Sequence, residues 1–176
     1  ERSGTTWTLI ETLTSPHKMT YDDRGQSQYF GLSVSINQNT LAIGAVGKDN
    51  YSGAAYVYVY GAGAWTLEER ILGSGVINEQ LGESVAVNGD NLLIGVPYRD
   101  STSGASTFVD SGVVEYWNRS GGSWSHPFNI VINSNNALLG TSVAITTGGK
   151  ALIGAPGWTN SIGAVCPVTT DSGTFV

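Results

Sequence analysis

Charge is scarce in this chain: Asp, Glu, Lys and Arg together make up 12% of its 176 residues, and only 8 are Lys or Arg. So few cations cannot build the basic stripe that a nucleic-acid backbone requires, which excludes that class of partner. The formal net charge of −6 comes from scattered carboxylates. One cysteine, Cys166, excludes an internal disulfide framework. No run of about eighteen apolar residues occurs, so the sequence predicts no membrane span. The opening Glu1-Arg2-Ser3-Gly4 has neither Met nor an apolar segment and does not read as a signal peptide. The nucleophile-elbow pattern Gly-x-Ser-x-Gly and the zinc-protease pattern His-Glu-x-x-His are missing too. The two histidines, His17 and His126, each sit beside a proline, Pro16 and Pro127. Adjacent carboxylates at Asp22-Asp23 and Glu68-Glu69 would point to opposite faces of a strand rather than converge on one substrate atom. No enzyme is expected.

What the chain does have is glycine, 24 residues of it, between short alternating runs. Residues 30–37 set Val34 and Ile36 on one side, residues 41–46 do the same with Leu41 and Ile43, and residues 54–60 oppose Tyr56, Tyr58 and Tyr60 to Val57 and Val59. Period-two alternation predicts strands with two different faces. Asn37-Gln38-Asn39-Thr40 supplies a tight turn and 47–53 a longer loop. Further strands are predicted at 65–72, then at 81–87, 92–97, 112–118 and 124–132, then at 139–145, 150–155 and 163–169. Residues 99–110 read as a long Ser/Thr/Gly-rich loop, and no helix is expected.

The same landmarks return in order. Phe30-Gly31 recurs as Leu81-Gly82 and Leu139-Gly140, and Ser33-Val34 as Ser84-Val85 and Ser142-Val143. Gly44-Ala45-Val46 recurs as Gly95-Val96-Pro97 and Gly154-Ala155-Pro156, and Trp7-Thr8 as Trp65-Thr66 and Trp124-Ser125. A repeat of this kind, with four short strands per unit, reads as a stack of antiparallel blades. These motifs resemble FG-GAP repeats, the blade unit of the integrin α-subunit type of β-propeller, over nearly the whole chain. The departures are Leu81 and Leu139 in place of Phe, and Val46 in place of Pro.

The expected fold is therefore all-β: about three four-stranded FG-GAP blades in a partial propeller or an open blade array. Residues 1–6 are a polar tail, 7–13 an orphan strand, 30–72 and 81–132 complete blades, and 139–176 a blade without its Trp strand. Three blades are fewer than the roughly four to eight that close a propeller. Either the chain is part of a longer one or copies complete each other, with the 7–13 strand filling the edge of the next subunit's third blade.

The resemblance directs attention to the loop after the Gly-Ala strand, which carries Ca²⁺ in many such blades. Asp49 is the candidate metal ligand, with Asn50 beside it; Asp100 and Asp110 lie in the second loop and Asn160 in the third. None forms the alternating Asp pattern that a calcium loop uses, so solvated turn residues are the preferred reading. Asn50-Tyr51-Ser52 and Asn118-Arg119-Ser120 fit the N-glycosylation acceptor and fall in predicted loop positions. Cys166-Pro167 resembles a strand end of integrin-type blades at which the Cys pairs with a later one. No later Cys exists before Val176, so Cys166 is a buried free thiol, or it pairs with a chain segment beyond this one or with another subunit. Tyr56, Tyr58 and Tyr60 and the recurring Trp7, Trp65 and Trp124 are read as packing between blades rather than as sugar platforms.

Together these features predict a non-enzymatic extracellular or cell-surface module for adhesion or protein–protein binding, with other proteins or copies of itself as partners. The alternative is a structural subunit of an extracellular filament, assembled head to tail by strand exchange through residues 7–13. A third reading is a propeller attached to an enzyme whose chemistry lies in another domain.

Overall fold

Alternating apolar residues separated by two-residue turns fold locally into hairpins, and here the hairpins accumulate into sheets. The computed structural model describes residues 2–3, 5–9, 11–16 and 28–169. The first blade comprises β3 (Val34–Asn37), β4 (Thr40–Gly44), β5 (Ala54–Gly61) and β6 (Ala64–Leu72), antiparallel in that order. The second comprises β7 (Ser84–Asn88), β8 (Asn91–Val96), β11 (Val113–Ser120) and β12 (Ser123–Val131), also in that order. The third has three strands, β13 (Ser142–Ile145), β14 (Lys150–Ala155) and β15 (Ala164–Thr169). Among the described residues no sheet closes on another, and the fold is the all-β blade array expected.

The core lies between blades. On the second blade, Val85, Val87, Leu92 and Ile94 face the first blade and meet Ala42, Ala55, Val57 and Ile71 there. The alternate residues Ala86, Leu93, Val114 and Tyr116 face the third and meet Ala151, Ile153, Cys166 and Val168. Successive strand residues point to opposite faces, so one strand feeds two cores. Leu92, Leu93 and Ile94 are all fully buried, each contributing about 1.5–3 kcal/mol. A single blade could bury neither face alone.

Several expectations need correction. The strand read over 7–13 is reduced to Trp7. This residue belongs to β2 (Thr6–Trp7), which pairs with β1 (Arg2–Ser3) within the supposed tail. The other described residues of 7–13 lie in no strand, because a strand exists only through its ladder to a neighbour and they join none. The 99–110 loop folds back on itself as β9 (Ser101–Ser103) and β10 (Ser106–Phe108). Two single turns assigned as helix, α1 (Lys48–Tyr51) and α2 (Trp158–Ser161), depart from the helix-free expectation. Their central residues are left-handed: Asp49 and Asn50 at φ 51° and 58°, Thr159 and Asn160 at φ 53° and 55°. Finally, the first strand of each blade starts later than read, after the Phe/Leu-Gly pair, because Gly31, Gly82 and Gly140 sit at φ +92°, +91° and +92°, outside strand geometry.

Candidate functional site: the seam between blades

The displaced Phe/Leu-Gly pair is the centre of the blade-to-blade contact. Leu81-Gly82 forms a parallel bridge with Gly53 of the preceding blade, and Leu139-Gly140 does so with Gly112. The Ser33 hydroxyl donates to the Gly82 carbonyl at 2.7 Å, and the Ser84 hydroxyl donates to the Gly140 carbonyl at 2.7 Å. Gly44 and Gly95 make room for those carbonyls. A Cβ on Gly44 would lie 2.0 Å from the Gly82 oxygen, and one on Gly95 1.9 Å from the Gly140 oxygen. The loop after the Gly-Ala strand extends the contact. Carbonyls of Asn50, Tyr51 and Ser52 accept from the amides of Asn78, Gln80 and Leu81, and those of Val109, Asp110 and Ser111 from Asn136, Leu138 and Leu139. One socket is thus built twice: a serine donor, a glycine floor and a row of loop carbonyls, filled each time by the next blade's apolar-Gly pair.

A family model described as FG-GAP repeat matches residues 13–58. That stretch is an FG-GAP repeat. No curated protein matches the chain. The FG-GAP match carries a propeller-like module suited to protein interaction, and the geometry explains the motif physically. The first glycine plugs the previous blade, the second floors the socket, and the serine donates the hydrogen bond between them.

The FG-GAP frame fixes the residues singled out from sequence. The Asp49 carboxylate is exposed and paired with the Lys48 ammonium. No group of three His, Cys, Asp or Glu able to hold a metal occurs among the described residues. The Asp49-Asn50 turn serves the seam through its backbone, and the turn at Asn160 repeats that backbone in the third blade. Asp100 accepts from the Asp110 amide and braces the second loop. Asn50 is half-buried and the Ser52 of its acceptor motif is buried, with its hydroxyl oxygen accepting from the Gly75 amide at 2.9 Å. Asn118 stands in β11 rather than in a loop. Its amide donates to the Asp90 carbonyl and the Asn91 side chain, both at 3.2 Å, and its backbone is paired with Asn91 in the ladder of β11 with β8.

Cys166 is buried with a free thiol on the face packed against the second blade, and burial pushes that thiol up. His126 is exposed, stacks on Trp117 at 5.0 Å and shares a hydrogen bond with Asn129. His17 and the Asp22-Asp23 pair lie outside the described residues. Trp124 packs in the core between the first two blades, whereas Tyr56 and Tyr58 pack with Phe30 and Trp65 on the outer side of the first blade.

Two charged networks escaped the sequence reading. Arg99 bridges Glu115 at 2.6 Å and Glu79 at 3.0 Å, with all three side chains largely buried. Desolvation disfavours the guanidinium, yet its bonds to both carboxylates outweigh this and raise its pKa further. Arg119 reaches back from the second blade to Glu68 of the first at 3.0 Å, binds Asp90 at 2.7 Å and lies over the Trp124 ring at 5.2 Å. Glu68 is the extra residue of a bulge in β6, which turns its carboxylate toward that network and toward Trp124 Nε1 at 2.8 Å. The available signal was Glu115 itself, a lone carboxylate inside Val113-Val114-Glu115-Tyr116-Trp117: a charge in a buried run requires a partner.

Proposed function

We propose that this chain is a non-enzymatic extracellular or cell-surface module that holds other proteins through the outer faces and loops of its blades. The observation that carries the reading is the contrast between inner and outer faces. Between blades the apolar residues are buried, whereas Val34 and Ile36 on the outer face of the first blade are 64% and 62% exposed, and Leu152 and Val165 on that of the third are 52% and 66% exposed. Exposed apolar surface of this kind marks an interaction site. The FG-GAP match supports the same class of role, and no helix among the described residues is long and apolar enough to cross a membrane. The test is retention of cells of the source organism on beads coated with the chain. Retention well above albumin-coated beads is expected; retention equal to albumin rejects the adhesive role.

A second reading, a filament subunit assembled by strand exchange, is favoured by one observation. The third blade has three strands where the other two have four, so the outer edge of β15 has no strand partner among the described residues. Residues 7–13 of another copy would supply the missing strand. Removal of residues 1–13 should then abolish any polymers seen by light scattering, and polymers that persist would eliminate strand exchange.

A further inference from the structure

The seam is built twice among the described residues, and half of it is present again at the front of the first blade and at the back of the third. At the front of the first blade, Tyr29-Phe30-Gly31 has the backbone of a plug: φ 51° at Tyr29 and +92° at Gly31, against 60° and +91° at Gln80 and Gly82 and 54° and +92° at Leu138 and Gly140. Among the described residues no atom lies within 4 Å of a Cβ placed on Gly31, whereas such a Cβ on Gly82 or Gly140 would meet the preceding blade at 2.4 Å and 2.9 Å. At the back of the third blade, Gly154 has the Ser142 hydroxyl 2.3 Å from its Cβ position, as Gly95 has Ser84 at 2.4 Å, but no carbonyl of another blade among the described residues. The loop over this socket is preset as well. Thr159, Asn160 and Ser161 hold φ 53°, 55° and 70°, matching 51°, 58° and 63° at Asp49, Asn50 and Tyr51, whose loop receives the second blade.

The surrounding surfaces agree. Val34 and Ile36 occupy the positions of Val85 and Val87, which the first blade buries. Leu152 and Val165 occupy those of Leu93 and Val114, which the third blade buries. A cavity of about 510 Å³ lined by Ser142, Gly154, Pro156, Ile162 and Val165 occupies the socket. Leu13 packs beside Phe30 on the front face and leaves Val34 and Ile36 exposed.

We infer that the partner of these faces is a second copy of this chain, docked head to tail. Its Tyr29-Phe30-Gly31 enters the Ser142–Gly154 socket, the Ser142 hydroxyl donates to the Gly31 carbonyl, and Val34 and Ile36 cover Leu152 and Val165. The inference rests on the protein-binding reading and gives it a partner. A contact of front to back is heterologous, so it closes into a ring or propagates.

The test uses the whole chain in sedimentation equilibrium. The expected result is association above the 18.4 kDa chain mass, as a dimer or a longer head-to-tail series. Ile36→Lys disables only the front and Leu152→Lys only the back. Each alone should weaken self-association by at least about a hundred-fold, because an unpaired ammonium would be buried in an apolar contact. Mixed at equal concentration, the two retain one good front and one good back, and a 1:1 dimer should form. Gly154→Ala, whose added methyl meets only the Ser142 hydroxyl within its own chain, should fold and fail to associate. The inference is overturned by a wild-type monomer at the highest soluble concentration. It is equally overturned by either lysine variant associating alone, or by a mixture that stays monomeric. A monomer would leave the adhesive role standing, since cell retention is measured independently. Persistence of the dimer without residues 1–13 separates face packing from strand exchange.

Discussion

Gly95→Ala should cost about 2–4 kcal/mol although it adds one methyl group to a strand. Gly95 lies in β8 and its φ is not left-handed, so alanine meets no backbone strain there. At an open position such a change stabilises by about 0.4–1 kcal/mol through the unfolded state. Here the new Cβ would lie 1.9 Å from the Gly140 oxygen, 2.9 Å from the Gly140 carbonyl carbon and 2.4 Å from the Ser84 hydroxyl. The oxygen and carbon belong to the backbone of the next blade and cannot rotate away, so the third blade must withdraw by more than an ångström. Overpacking of this kind costs about 1–3 kcal/mol, and loosening the 2.7 Å bond from Ser84 to Gly140 adds about 0.5–1.5 kcal/mol. For a chain of this size the loss corresponds to a fall in Tm of roughly 4–16 °C. Tryptophan fluorescence during thermal and urea unfolding reads it directly. Gly61→Ala is the control, since nothing lies within 4 Å of its Cβ position and its φ is not left-handed; it should melt at or slightly above the wild type. A Gly95→Ala protein that melts with wild type would refute the account of the seam.

Three other outcomes follow from buried groups. Arg99→Ala strands Glu79 and Glu115 without their cation and should destabilise by about 3–5 kcal/mol in urea titrations; a loss below 1 kcal/mol would mean that water solvates the pair. Burial raises the pKa of Glu83, so the folded state holds that proton more tightly than the unfolded chain. Its contribution to stability is therefore fully present below the unfolded value, near about 4.3, and is lost as the pH rises through the folded value. Glu83→Gln, neutral throughout, should raise Tm at pH 7 and lose that advantage at low pH; an equal shift at both would contradict the cause. Cys166, buried with its thiol pushed up, should resist iodoacetamide in the native protein and react on unfolding; rapid native alkylation would place it at a surface instead.

Period-two alternation, two-residue turns and the recurring glycines determined the blades, because each is written within a few neighbouring residues. Val34 and Ile36 were legible as one face of a strand for that reason, and so was the all-β class. What covers a face was not legible, since Val85 and Val34 have the same local sequence signature, yet one is buried and the other exposed. The Phe/Leu-Gly pair read as strand because apolar residues flank it; Gly31, Gly82 and Gly140 share the positive φ with or without a preceding blade among the described residues, and each amide donates to the carbonyl of the Gly44, Gly95 or Gly154 of its own blade, a pairing that alternation does not reveal. The backbone role of the loop at Asp49 was not legible: the tertiary structure turns the carbonyls of Asn50, Tyr51 and Ser52 toward Asn78, Gln80 and Leu81. Thr159 would not choose a left-handed backbone by itself, and the shape of the repeat imposes it. Glu68 met Arg119 and Trp124 only once two blades had stacked, with 51 and 56 residues between the partners. Local sequence set the strands, whereas the stacking of blades decided which side chains pair, which lie buried, and which socket is left open.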